Sequence, residues 1–311
     1  MAITLKDDAL VTETRPGHPV AAFLRMLWAD KFATAAAVFL VLVVLCAILG
    51  PALFGKASLA MNLRGRNLAP FHLEQGWLMI LGADSLGRPI LARIIVAAQN
   101  TMTVAFLAVL CAALTGGFLG LVAGYSRTRL SNVILRLADV IMSFPSLLLA
   151  VIVLFMLEPS VLNLVLVLAI TRIPVYLRTV RAEVLEIRER MFVQAARVMG
   201  ASRMRIILAH ILPMVVPTML TVATLDFAFV MLAESSLSFL GIGIQPPEVT
   251  WGLMVAQGRP YINQAWWLCF WPGLMIVLTT MSLNLLSNWL RTALDPTQRW
   301  RLEARKDAAD V

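Results

Sequence analysis

Charge is scarce in this chain: of 311 residues only 14% are Asp, Glu, Lys or Arg, while 60% are hydrophobic. Ordinary soluble domains carry about 25% charge, so a soluble globular protein is excluded. Disorder is excluded as well, because the mean hydropathy is +0.83 and disordered chains are poor in apolar residues. Histidine and cysteine are equally sparse. His18, His72 and His210 fall in three separate regions, with no His-Glu-x-x-His or Cys-x-x-Cys pattern, which leaves metal catalysis without support. Cys46, Cys111 and Cys269 each lie inside an apolar stretch, so they form no disulfide framework and read as small packing residues. Ser235 and Ser236 adjoin Glu234, but no histidine stands near enough in sequence to activate a hydroxyl. The run from Gly50 to Ala57 imitates a phosphate loop but ends in Ala where a Mg²⁺-binding hydroxyl is needed, and it reads as a helix terminus. The net charge of +8 is spread along the chain without aromatic interleaving, so nucleic acid is not expected as a partner.

What the chain has is apolar length. A helix crossing a hydrocarbon core of about 30 Å needs roughly 20 apolar residues. Six stretches meet that demand: Phe32 to Phe54, about Asn100 to Tyr125, Leu137 to Leu157, the residues after Glu158 and Pro159 to about Leu177, Met214 to Ala233, and Trp266 to Leu290. The turns before Asn100 read as interfacial. The polar start, from Met1 onward, lacks a small-residue cleavage site before a long first apolar run, and reads as leading into an anchor, not as a cleaved leader. The expected organisation is a cytoplasmic segment 1–31, a six-helix transmembrane domain 32–290 with a cytoplasmic loop 178–213, and a cytoplasmic tail 291–311. With both termini inside, 20 of the 26 Lys and Arg fall on the cytoplasmic side, as the positive-inside rule requires.

Ionisable residues within spans are costly and carry a functional hypothesis by default. Asp139 lies one helical turn after Arg136, which predicts a local ion pair. Arg172 is expected to snorkel to the interface. Asp226 is deeper and Glu234 lies near the far interface; for both, lining a pathway and structural hydrogen bonding stay open. Gly116, Gly120 and Gly124, with Gly117 beside them, form a four-residue stripe that predicts close helix packing.

The loop between the fourth and fifth stretches is the most regular polar part of the chain. Glu183, Glu186 and Glu189 alternate with Arg181, Arg188 and Arg190, predicting a charged helix beyond the membrane. Next come Gln194, Ala195, Ala196, Gly200, Ala201, Ser202 and Arg203. Gly200 can end a helix in the left-handed conformation and Ser202 can cap the next. Small Ala195 and Ala196 predict one flat face bordered by arginines, suited to a partner's groove, with a solvated amphipathic loop as the plainer alternative.

Gln194-Ala195-Ala196, then Gly200, then His210-Ile-Leu-Pro213, resembles the Glu-Ala-Ala loop of permease subunits in binding-protein-dependent ABC importers, with Gln194 in place of Glu and His210 in place of a frequent Ile. His210-Ile-Leu-Pro213 looks like the ending common in the peptide and nickel branch, and Leu81-Gly82-Ala83-Asp84-Ser85-Leu86-Gly87-Arg88 resembles the Leu-Gly-Thr-Asp-x-x-Gly-Arg-Asp stretch before the second span, with Pro89 replacing the last Asp. Glu234-Ser-Ser-Leu-Ser-Phe-Leu-Gly241, Gln245-Pro246-Pro247, Trp251-Gly252 and Leu294-Asp295-Pro296 resemble the C-type subunit of dipeptide and oligopeptide permeases. Asn288-Trp289 departs from the usual Gly- and Asp-rich sequence there. The similarity runs from about residue 20 to 296.

The resemblance implies an all-α, six-helix transmembrane domain of a type I ABC importer in a bacterial inner membrane. It implies a homologous B-type permease partner, two ATPase subunits or one ATPase homodimer, an extracytoplasmic substrate-binding protein, surrounding lipid, and short peptides as cargo. The chain itself would bind no cofactor and perform no catalysis, ATP and Mg²⁺ being used by the ATPases. Gln194, Ala195, Ala196, Gly200, Ala201, Ser202, Arg203, His210 and Pro213 would belong to the ATPase-coupling loop. A secondary transporter or channel using Asp226 and Glu234 is the alternative.

Overall fold

The computed structural model describes residues 25–294 except 73, 75 and 127. The expected terminal segments therefore fall largely outside the described residues, as do Arg127 and Asp295-Pro296. Among the described residues the chain is helical without a strand, apart from one isolated bridge between Ala83 and Pro89. Its helices are α1 (Lys31–Leu59), α2 (Ile90–Tyr125), α3 (Arg129–Met142), α4 (Ser146–Met156), α5 (Val161–Ile187), α6 (Met191–Val198), α7 (Arg203–Phe239), α8 (Trp251–Gly258) and α9 (Trp267–Leu294). Five of these, α1, α2, α5, α7 and α9, are long and apolar enough to cross a membrane, and α3 with α4 makes a sixth crossing if the two act as one span.

That sixth crossing corrects the sequence reading. Leu137 to Leu157 is not one straight helix: α3 and α4 meet at a bend of 87°. Pro145 is the cause, since it lacks an amide proton and its ring disfavours the helical conformation at Phe144. The second span is also longer than its uncharged core. α2 has 36 residues, about 54 Å at 1.5 Å per residue, so the turns before Asn100 belong to the same helix. The run from Gly50 to Ala57 lies inside α1, where Gly50 gives room to Ile95: a Cβ there would stand 2.7 Å from Ile95 Cγ2.

Met26 and Ala33 pack with Trp289, and Leu286, Leu290 and Ala293 close around them. The described chain therefore begins and ends on one side of the bundle, called here the terminal side. Trp289, foreign to the resembled pattern, fills this contact with 5% of its surface exposed.

α2 and α5 form the tightest pair. Cβ atoms built on Gly116, Gly120 and Gly124 would stand 2.6 Å, 2.8 Å and 3.1 Å from the carbonyl oxygens of Ile173, Leu177 and Arg181. Three glycines at four-residue spacing thus meet three carbonyls at the same spacing. This is the backbone-to-backbone approach that small residues permit in a bilayer, where no hydrophobic effect drives helices together.

On the far side, the described residues between α1 and α2 run as short turns around one carboxylate. Asp84 Oδ1 accepts from the amides of Leu86 and Arg88, while Oδ2 accepts from Arg88 Nε at 2.7 Å and Arg93 Nη1 at 2.6 Å. Arg93 also donates to Gln257 Oε1 at 2.9 Å, joining α2 to α8. Gly87 has φ +74°, and a Cβ there would stand 1.8 Å from Asn62 O, so the glycine of this motif is sterically required.

Candidate functional site

The segment between α5 and α7 is shorter than the expected loop 178–213, because α5 continues through Ile187. Arg178 to Ile187 are thus the protruding end of a span, steadied by its own charges. Glu183 accepts from Thr218 Oγ1 at 2.9 Å, tying α5 to α7, and Arg190 pairs with Glu186 at 2.7 Å. Arg188 donates to Gly124 O at 2.8 Å, satisfying an orphan carbonyl in the last turn of α2.

From Arg190 the chain turns into α6. Its end is a Schellman motif: the amide of Ala201 donates to Ala196 O at 3.0 Å, and that of Gly200 to Arg197 O at 3.1 Å, with Gly200 at φ +82°. Ser202 Oγ then accepts from the amide of Arg205 and opens α7. Both expected roles, break and cap, are present. Between Ile206 and Ile211 the helix widens into a π turn, in which Leu212 N reaches back to Ile207 O. Pro213 accounts for this, since its ring crowds the carbonyl four residues before it.

The two alanines do not form one flat outer face. Ala195 is exposed, whereas Ala196 is 3% exposed and packs with Val180, Val184, Ile187, Val193, Ile206 and Ile211 in a cluster of its own. This cluster seats the segment on the terminal-side ends of α2, α5 and α7. Gln194 is exposed and donates to Glu189 O; Arg203 and Pro213 are exposed, and Ala201 and His210 are half-buried, with His210 Nδ1 enclosed and unpaired. Missing from the sequence reading are the apolar side chains that do face outward. Met191, Val198, Met199 and Met204 are 87%, 88%, 82% and 67% exposed, amid Arg190, Arg197, Arg203 and Arg205. The signal was available, for Met191 and Val198 are seven residues apart and share one helical face. Beside them a groove of about 900 Å³ opens between the end of α2 and the segment, lined by Arg188, Arg197, Arg203 and Tyr125.

A second polar site lies deep in the bundle. Arg172 does not snorkel: its guanidinium makes two hydrogen bonds to the Asp226 carboxylate and sits 4.3 Å above the Phe229 ring. Asp139 likewise pairs with Arg178 and not with Arg136, because α3 and α5 pack side by side and bring the two together. Glu234 is fully buried and accepts from Ser238 Oγ at 2.8 Å and Ser235 Oγ at 3.3 Å. It stands next to the contact where Gly252 presses on Ser235, whose Cα would be 2.5 Å from a Cβ. The motifs around Glu234 and Trp251 thus meet as one joint, completed by Trp251 Nε1 donating to Ile94 O. Among the described residues no three His, Cys, Asp or Glu side chains are grouped to share a metal ion.

The family of binding-protein-dependent transport system inner membrane components matches residues 116–300. The di/tripeptide transport system permease protein DppC of Pseudomonas aeruginosa is 37% identical over 280 residues, covering 89% of this chain and 92% of that protein. The probable D,D-dipeptide transport system permease protein DdpC of Escherichia coli is 36% identical over 271 residues, 87% and 89% of the two chains. The glutathione transport system permease protein GsiD of Pectobacterium atrosepticum is 37% identical over 216 residues, 70% and 72%.

Proposed function

We propose a role for each face of this chain from the premise that it belongs to the family of binding-protein-dependent transport system inner membrane components. It is a multi-pass permease subunit of an ABC importer, and such subunits are not themselves enzymes. Our reading is that it is the C-type half of a pathway completed by a homologous B-type subunit. An extracytoplasmic binding protein delivers short peptides to the far side, and two ATPase subunits, or one homodimer, dock on the terminal side. ATP and Mg²⁺ belong to those ATPases. Peptide cargo is supported by the names of DppC and DdpC.

The observation that carries the reading is the exposed set Met191, Val198, Met199 and Met204 on an arginine-rich segment held firmly against three spans. Exposed apolar clusters outside a bilayer mark protein contacts, and a firmly seated segment passes a push from its partner into α2, α5 and α7. ATP-driven closure of the ATPases would thus shift the segment from Gln194 to Arg205 and rock the pathway from inward to outward opening. A secondary transporter or channel is not favoured, since the family is one of importers and Asp226 is neutralised by Arg172 within the chain.

Topology provides the test. Reporters fused at Arg129 and Arg203 are expected to read cytoplasmic, and those at Asn67 and Glu248 external, which puts both termini inside. An external signal at Arg203 would refute the docking assignment.

A further inference from the structure

Arg172 stands near the middle of α5 and Asp226 near the middle of the stretch Leu212–Phe239 of α7, while the other charged side chains of the continuous spans lie nearer helix ends. Charges at mid-membrane depth are expensive, and a protein retains them there for a task. Three observations say what this task is. The two partners differ in access: Asp226 is the inner member, 5% exposed in its side chain, whereas Arg172 is 16% exposed and leans over Phe229, itself 40% exposed. A guanidinium with an open side at this depth is costly against lipid tails, which argues that this face of α5 and α7 is turned inward in the assembled transporter. Finally, Tyr176, one turn after Arg172, is 1% exposed, and its hydroxyl lies beside the Asp226 carboxylate without a hydrogen bond of ordinary length. A buried hydroxyl left unpaired costs about 1–3 kcal/mol and calls for an explanation.

We propose that Arg172 is a cargo-binding residue: it turns from Asp226 to the free carboxylate of a passing peptide, and the Tyr176 hydroxyl then donates to Asp226 in its place. The inference rests on the peptide-importer reading above. It accounts for all three observations. Before cargo arrives the pair is self-neutral, so the pathway offers no fixed charge to stray ions. When a carboxylate takes the guanidinium, Asp226 would be left buried with fewer donors; the spare hydroxyl of Tyr176 supplies one. Every peptide with an unmodified C-terminus carries such a carboxylate, so recognition at this point is independent of side-chain sequence. The guanidinium fork suits it, because a carboxylate can accept two parallel hydrogen bonds from arginine.

The test uses the complete transporter, with its partner permease, ATPases and binding protein, in proteoliposomes. Uptake of dialanine is compared with uptake of its C-terminal amide. The same binding protein serves wild type and variants, so its own preference cancels in the comparison between them. Arg172→Gln, made together with Asp226→Asn so that no buried carboxylate is left uncompensated, is expected to lower dialanine uptake about tenfold or more and to leave amide uptake within about twofold, collapsing the selectivity for the free acid. Tyr176→Phe removes only an unpaired hydroxyl, so a purely structural role predicts equal or better thermal stability and unchanged transport. The proposal predicts unchanged stability with several-fold slower dialanine uptake. Equal losses on both substrates in the double variant, or normal dialanine uptake in Tyr176→Phe, would overturn it. If wild type does not carry the amide, or the double variant does not assemble, the Tyr176→Phe arm decides alone. Wild type that carries neither substrate would overturn the peptide reading and this assignment together, an outcome distinct from a defect confined to the variants.

Discussion

Ala196→Glu and Met199→Glu are expected to abolish transport by opposite routes. Ala196 lies inside the cluster formed by Val180, Val184, Ile187, Val193, Ile206 and Ile211, so a carboxylate there is buried without a partner. An uncompensated buried charge costs on the order of 3–5 kcal/mol, and the added volume strains the packing further. The segment should detach from α5 and α7, seen as protease sensitivity between Arg188 and Arg205 and a lower melting temperature. Met199 is 82% exposed, so its replacement by Glu should leave the melting temperature within about 1 °C of wild type, as surface changes usually do. It should nevertheless reduce ATPase co-purification by about tenfold or more, the effect of spoiling a central apolar contact. A folded Ala196→Glu variant that still couples ATP hydrolysis to uptake would refute the buried placement. Full ATPase recovery with Met199→Glu would move the docking face elsewhere.

Gly120→Leu is the other severe change. A Cβ at Gly120 would already stand 2.7 Å from Val180 Cβ and 2.8 Å from Leu177 O, and backbone carbonyls cannot step aside. Leucine would therefore prise α2 from α5 along the stripe shared with Gly116 and Gly124. Overpacking of this kind costs about 1–3 kcal/mol at one site and more where backbone must move. Phe118→Leu, on a residue 65% exposed, is the matched control. Size-exclusion profiles of the purified chain should show loss of the monodisperse peak for Gly120→Leu alone. Equal behaviour of the two variants would mean that the contact is looser than its geometry.

Much of this architecture was legible because its causes are local. Apolar length located the spans, and a glycine followed two residues later by serine located the break at Gly200 and the cap at Ser202. The glycine stripe announced close packing, though not which helix it meets. Where the reading failed, the cause was non-local. Arg172 and Asp226 are 54 residues apart, and no helical spacing joins them. Asp139 had a plausible partner one turn away in Arg136, yet α3 lies against α5 and Arg178 takes the carboxylate. Ala195 and Ala196 are equally small, so composition could not tell which faces inward; the cluster around Val193 decided it. Pro145 was visible as a helix breaker, but an apolar run long enough for a membrane concealed the bend it makes.

The π turn and the anchors at the helix's two ends give α7 mechanical character. Its 37 residues at 1.5 Å each make a rod about 55 Å long, anchored at one end by Ser202 and the segment and at the other by Glu234, Ser235 and Gly252. Compressing or stretching such a rod would break its hydrogen-bond ladder, whereas tilting it would not. The widened turn at Ile206–Ile211 already departs from that ladder close to the end that meets the segment, so it is the place where a tilt costs least. Leverage follows from this unequal division: a pivot so near one end makes the long arm sweep much farther than the short one. On the proposed reading, a small displacement at Arg203 would thereby be magnified at the far-side joint that holds Trp251.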